Sequence, residues 1–145
     1  MHPNISLNKG ALPVLRNVIQ FTERRHVLLA NNIANVETPL YQAQDLPVED
    51  FQALLAEAVD KRREGNPRRW KTRDNFNVGI SPEGTLQFRT MSANDVDIQQ
   101  HSQNNVDIDK EMVKLAENSL LHNTAVELLH KQYNLLHTAI SERVS

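Results

Sequence analysis

Residues 106–143 carry an apolar spacing that few folds accommodate. Ile108, Met112, Leu115, Ser119, His122, Val126, Leu129, Tyr133, Leu136 and Ile140 follow one another at alternating steps of four and three. That period belongs to a helix with a coiled-coil-like seam. Asp107 suits the N-cap, and Asp109 suits the positive end of the helix. At 1.5 Å per residue the element is roughly 55 Å long. Beside the seam lie Leu121, Ala125, Leu128, Leu135 and Ala139. The two sets together span roughly 200° of the helix surface, against the ~100° that one core-facing stripe uses. A single partner helix cannot cover that width, so burial by other copies or other chains is expected. The other remedy is a middle region that folds back over the stripe.

The partner helix is predicted over residues 11–36. Leu12, Leu15, Ile19, Leu29, Ile33 and Val36 share a three-four spacing, while Thr22 and His26 occupy the same seam and weaken it. Pro39 disfavours helical geometry at Thr38, so the helix is expected to stop by Glu37. Its length is only roughly 39 Å, which leaves part of the C-terminal helix unpaired within the chain. Between the two lies a region of mixed signals. Residues 48–64 read as a short helix with Phe51, Leu54, Leu55 and Ala58 on one face, Pro47 at its first position and Gly65 at its end. Residues 65–75 read as a polar loop. Phe76, Val78 and Ile80 alternate, as do Leu86 and Phe88, around Ser81-Pro82-Glu83-Gly84. That is a β-hairpin pattern with a bulged turn. The fold class is therefore mainly α: long N- and C-terminal helices pair as a coiled-coil-like hairpin. Residues 1–41 and 104–145 form the helical part. Residues 42–103 form a small irregular insertion with a short helix and a β-hairpin.

Little in the chain suits chemistry. There is no cysteine, hence no thiol and no disulfide framework. The six histidines, His2, His26, His101, His122, His130 and His137, include no i, i+4 pair of the kind zinc sites place on helices. Residues 95–106 begin like a calcium loop but carry Gln100 and Val106 where glycine and glutamate are required. No Gly-rich phosphate loop or nucleophile motif is present. No catalytic residue, cofactor or metal is assigned. Arg68, Arg69, Trp70, Lys71 and Arg73 form a basic patch that could stack on a base. It stands alone in a chain of net charge −2, and nucleic acid is not an expected partner. No stretch approaches the ~20 apolar residues of a membrane span, and no secretion signal is read at the N-terminus.

ANNIANVETPLYQAQD, residues 30–45, closes the first helix with Asn31, Asn32 and Asn35. Asparagine is a poor residue inside a helix, because its amide competes for the backbone. With Leu29, Ile33 and Val36 on the pairing face, Asn31 and Asn35 are expected on the far side and Asn32 on the flank. The amides would then serve either as C-terminal capping groups or as contacts to neighbouring chains, across a gap that Ala30 and Ala34 keep narrow.

This stretch resembles the N-terminal signature of the flagellar axial proteins, ANNIANxxTPGY, a family of rod, hook and hook-associated subunits. Residues 104–140 look like the C-terminal helix of a proximal rod member, and the short chain agrees. Together the two stretches cover about half the chain, with residues 42–103 matching loosely. The resemblance implies a structural subunit of the bacterial flagellar basal body. It further implies export through the flagellar type III channel, helical polymerisation in the periplasm, and terminal helices packed as the inner tube. The implied neighbours are other proximal rod proteins including FlgC, the FliE adaptor, the flagellar export gate and further copies of the chain. The implied assembly residues are Ala30, Asn31, Asn32, Ile33, Ala34, Asn35, Thr38, Pro39 and Tyr41. On the C-terminal helix they are Met112, Leu115, Leu121, Val126, Leu128, Leu129, Tyr133, Leu136 and Ile140. Leu40 stands where the family has glycine. A left-handed leucine would cost roughly 1–2 kcal/mol, so the turn after Pro39 is expected to be built differently here. Residues 51–55, FQALL, resemble an export-gate recognition pattern, and equally the apolar face of the short helix. A soluble coiled-coil adaptor that stays in the cytosol is the alternative reading.

Overall fold

The structure is a computed structural model that describes residues 11–63, 78–80, 86–92 and 106–142. The expectations for Gly65, the basic patch at 68–73, Phe76, the turn at 81–84 and the loop at 95–105 lie outside the described residues.

Three helices and two small antiparallel ribbons make up the described fold: α1 (Leu12–Ala34), β1 (Gln44–Asp45), α2 (Val48–Arg63), β2 (Val78–Ile80), β3 (Leu86–Phe88), β4 (Met91–Ser92) and α3 (Ile108–Ser141). α1 has Pro13 in its first turn, where the missing N–H removes a group that would lack a partner anyway. It ends at Ala34, two residues short of the expected end, because Asn35 takes the C-cap position. Pro47 is not inside α2 as expected. It sits one residue ahead, and its carbonyl accepts the first helical bond from Phe51 N at 3.1 Å. β2 and β3 pair as the alternation predicts, with Val78 opposite Phe88 and Ile80 opposite Leu86. The β1–β4 pair was not foreseen, since two-residue strands are too short to show a period.

α1 and α3 pack antiparallel. Arg16 Nη2 donates to Tyr133 Oη at 2.9 Å near one end, and Asn32 meets Glu111 near the other. The seam on α3 is rotated from the expected one. Its innermost residues are Glu111, Asn118 and Ala125, seven apart, all buried. Leu115, His122, Leu129 and Leu136 alternate with them and are half-buried. The sequence pattern thus identified one of the two legs. The other, Met112, Ser119, Val126 and Tyr133, lies one position too far on, and Met112 and Tyr133 are exposed, as are Ile108 and Ile140 at the ends. The helix is turned so that Glu111 meets the Asn32 amide and Asn118 meets the Thr22 backbone carbonyl of α1.

Besides Leu12, Leu15 and Leu29 of α1 and Ala125 of α3, which are also buried, the apolar core is a cluster around Phe21. Phe21, Leu46, Phe51, Leu54, Val78 and Leu86 form one buried cluster, bordered by Val18, Leu28, Val48, Leu55 and Phe88. Phe21 and Phe51 stack at 4.0 Å between centroids, and Phe88 meets both edge-on. Gln20 clips the hairpin to the helix through its side-chain amide. Nε2 donates to Leu86 O and Oε1 accepts from Leu86 N, each at 3.4 Å. The middle region therefore packs on α1, and FQALL contributes Phe51 and Leu54 to this core.

α3 starts on Asp107, whose carboxylate accepts from Asp109 N at 3.2 Å and Lys110 N at 3.3 Å. The bond from the Lys110 backbone N–H is the largest influence holding this carboxyl below its ordinary value of 3.8. A depressed folded-state pKa means that the cap's contribution is complete above the unfolded value and is lost as pH falls through the folded one. Melting temperature should therefore fall on acidification below about pH 4. Asp107→Asn, which caps without ionising, should show a shallower fall over that range. Parallel thermal melts of the two proteins check this.

Candidate assembly site

The signature residues gather at the end of α1, and Asn32 is their centre. It is not on the flank but is 1% exposed, between α1, β1 and α3. Its Nδ2 donates to Gln44 O at 2.8 Å and to Glu111 Oε2 at 2.7 Å. Its Oδ1 accepts from Gln44 N at 3.0 Å and from Tyr41 Oη at 3.1 Å. One amide therefore serves four bonds. It pairs with both backbone groups of Gln44 as a neighbouring strand would, and it satisfies a buried carboxylate. No apolar or charged side chain offers two donors and an acceptor in that space.

Glu111 is buried on α3, and both its oxygens are engaged. Oε2 takes the Asn32 amide, and Oε1 takes Lys114 Nζ at 2.8 Å. Lys114 also lies 3.8 Å from Asp45 Oδ2. Asp45 in turn receives Arg25 through two bonds of 2.7 and 2.8 Å. Its Oδ1 also accepts Leu46 N at 2.8 Å. Two cations and two anions thus alternate across α1, β1 and α3. A second polar level lies further along the seam. Asn118 Nδ2 donates to Thr22 O at 2.8 Å, and Thr22 Oγ1 lies 2.9 Å from His122 Nδ1. Thr22, read as a weak point of the α1 seam, thus contacts His122, a member of the α3 seam. Glu111, Asn118, Arg25, Asp45 and Lys114 were missed. The available signal was the seven-residue spacing of Glu111, Asn118 and Ala125, hidden by the more apolar set one residue later.

The rest of the motif shapes the exit from α1. Asn35 Nδ2 donates back to Asn31 O at 2.8 Å, and Thr38 Oγ1 donates to Asn35 Oδ1 at 3.1 Å. The capping reading therefore fits Asn35, while Asn31, Ala30 and Ala34 are exposed and Ile33 is half-buried. Tyr41 N then donates to Thr38 O at 3.3 Å, closing a four-residue turn over Pro39 and Leu40. Leu40 has φ 63°, the only positive φ outside glycine among the described residues. Proline second and a left-handed residue third is the type II arrangement, which favours glycine in the third place. The turn is thus not rebuilt around leucine. Leucine occupies the glycine conformation and is 67% exposed.

The outer face of α3 is apolar. Val113, Leu120, Leu121, Leu128 and Leu135 are exposed, with Leu120 at 70%. Of the other expected packing residues, Val126 is half-buried. Among the described residues no group of acidic, histidine or cysteine side chains could hold a metal, and no helix is long and apolar enough to cross a membrane. The arrangement is suited to holding surfaces in place.

Replacing Asn32 with alanine should lower the unfolding free energy by roughly 3 kcal/mol, since it strands a buried carboxylate and a strand's backbone. Urea denaturation with an unchanged slope would show this. Leu40→Gly should raise stability by about 1 kcal/mol, the relief of the left-handed strain less the extra freedom of the unfolded chain. Leu40→Ala keeps the strain and should gain much less, which the same denaturation curves distinguish.

No family model matches the chain. It is 32% identical over 137 residues to "Flagellar basal body rod protein FlgB" of Bacillus subtilis (strain 168), covering 94% of this chain and 98% of that one. The protein of the same description from Cereibacter sphaeroides is 33% identical over 132 residues, 91% of this chain and 94% of its own length. That of Escherichia coli (strain K12) is 28% identical over 128 residues, 85% of this chain and 87% of its own.

Proposed function

The chain belongs to the family of flagellar basal body rod proteins FlgB, and from that premise we propose that it is a structural subunit of the flagellar proximal rod. In this reading it leaves the cell through the flagellar type III export system and polymerises in the periplasm. Its neighbours are further copies, FlgC, the FliE adaptor and the export gate. It carries out no catalysis. Residues 1–41 and 104–145 supply the rod core, and residues 42–103 form an insertion on it.

The observation that carries this reading is the outer stripe of α3. Leu121, Leu128 and Leu135 recur every seven residues on a helix whose inner seam is already taken by α1, and all three are exposed. Fully burying one such side chain is worth roughly 1.5–3 kcal/mol. A helix that leaves several of them in water gains most of its hydrophobic stabilisation on association. In the folded subunit Phe51 and Leu54 of FQALL lie in the core.

The test is complementation of a non-motile strain that lacks its own rod protein of this family. The wild-type chain should restore swimming and co-purify with isolated basal bodies. Leu121→Asp with Leu128→Asp should keep the helical circular dichroism of the purified protein yet abolish both. Normal swimming by the double variant, or complete basal bodies without the chain, would overturn the proposal.

A further inference from the structure

The turn that follows α1 is held from both ends. On the entry side Thr38 N donates to Asn35 O at 2.9 Å, and Thr38 Oγ1 donates to Asn35 Oδ1 at 3.1 Å. On the exit side Tyr41 Oη and Gln44 N both donate to Asn32 Oδ1, at 3.1 and 3.0 Å. Between them Leu40 has φ 63° and a side chain 67% exposed, so its own packing does little to offset the left-handed strain. A rival conformation lies close by. Turning over the peptide between Pro39 and Leu40 gives a type I turn, with φ of about −90° at the third residue, which leucine adopts without strain. Proline suits the second place of both types, and both keep the bond from Tyr41 N to Thr38 O.

We propose that this turn is a two-state latch. The bond from the Tyr41 hydroxyl to Asn32 holds it in the strained type II form, and the turn relaxes to type I when that bond is lost. Strain that the surroundings must hold in place is the mark of such an element. The latch also reaches α3. The Asn32 amide is planar, so the two acceptors on its Nδ2, Gln44 O and Glu111 Oε2, fix the direction in which its Oδ1 points. Glu111 belongs to α3. The exposed turn therefore takes the type II form in a subunit whose α3 is docked on α1, and leaves it when that joint opens. Leu40 is what makes the element bistable. Glycine, which the family's signature has at this place, carries no such strain, and type II would persist there without the latch. The device goes beyond the rod reading and does not depend on it.

Two measurements on the full chain test this. In type II, a ψ of about +120° at Pro39 turns its Hα towards the Leu40 N–H, whereas the type I value of about −30° turns it away. The nuclear Overhauser contact between these two protons should be strong in the wild-type chain and weak in Tyr41→Phe. It should be strong again when Tyr41→Phe is combined with Leu40→Gly. Glu111→Ala should weaken it as Tyr41→Phe does. Urea denaturation gives the energetic counterpart. In the wild-type background, relaxation of the turn offsets part of what Tyr41→Phe removes. In the Leu40→Gly background there is no strain to relax. The drop in the folding equilibrium constant caused by Tyr41→Phe should therefore be about tenfold larger in the Leu40→Gly background. Equal drops in the two backgrounds would show the hydroxyl and the turn to be independent and sink the latch. So would a contact that stays strong in Tyr41→Phe. A contact that stays strong in Glu111→Ala, while Tyr41→Phe weakens it, would overturn the link to α3.

Discussion

The hydrogen bond from Asn32 to Glu111 fixes most of what the rest of this fold does. It joins the end of α1 to the start of α3 and sets the level at which the two helices run past each other. The same amide captures both backbone groups of Gln44, so the chain leaving α1 must turn back within a few residues and lie beside it. Because Glu111 is buried, its second oxygen also needs a partner, and Lys114 supplies it. That pair lies within α3 and leaves Lys114 partly exposed, so it satisfies the carboxylate, while the Asn32 bond to the other oxygen is what ties α3 to one alignment. Sliding α3 by one heptad would bring Asn118 to Asn32 and leave Glu111 without its amide donor. The polar contacts are thus best understood as setting register, with the aromatic core around Phe21 providing adhesion.

That division explains what could be read from the sequence. The helices, the β2–β3 hairpin and the apolar face of α2 follow from periods of 3.6 and 2, which are strong in this chain. The rotation of α3 does not. A search for apolar periodicity selects Met112, Val126 and Tyr133 over Glu111, Asn118 and Ala125, because it has no term for a carboxylate satisfied by a distant amide. The same limitation placed Asn32 on the flank. Its burial depends on Gln44, Tyr41 and Glu111, and the last of these lies 79 residues away. The turn at Leu40 failed for a different reason. Leucine's preference argued against a left-handed residue, but Pro39, the Thr38–Tyr41 bond and the Tyr41–Asn32 bond together outweigh a cost of about 1–2 kcal/mol.

The distribution of side chains between the two faces of α3 connects these points to assembly. Inward, Glu111, Asn118 and His122 share the seam with Leu115, Ala125, Leu129 and Leu136, and outward lie Leu120, Leu121, Leu128 and Leu135. A helix built only to stabilise its own subunit would not leave so much leucine on its outer face. With leucine worth roughly 1.5–3 kcal/mol on full burial, the outer face holds as much apolar stabilisation as a small core, none of it fully realised in a lone subunit. The inner face determines how α3 is presented, and the outer face determines what presenting it gains. Polar register contacts suit the first task, since a seven-residue leucine pattern alone would also fit α1 one heptad out of place. On the rod reading proposed above, a subunit that adds to a growing structure in one orientation requires both.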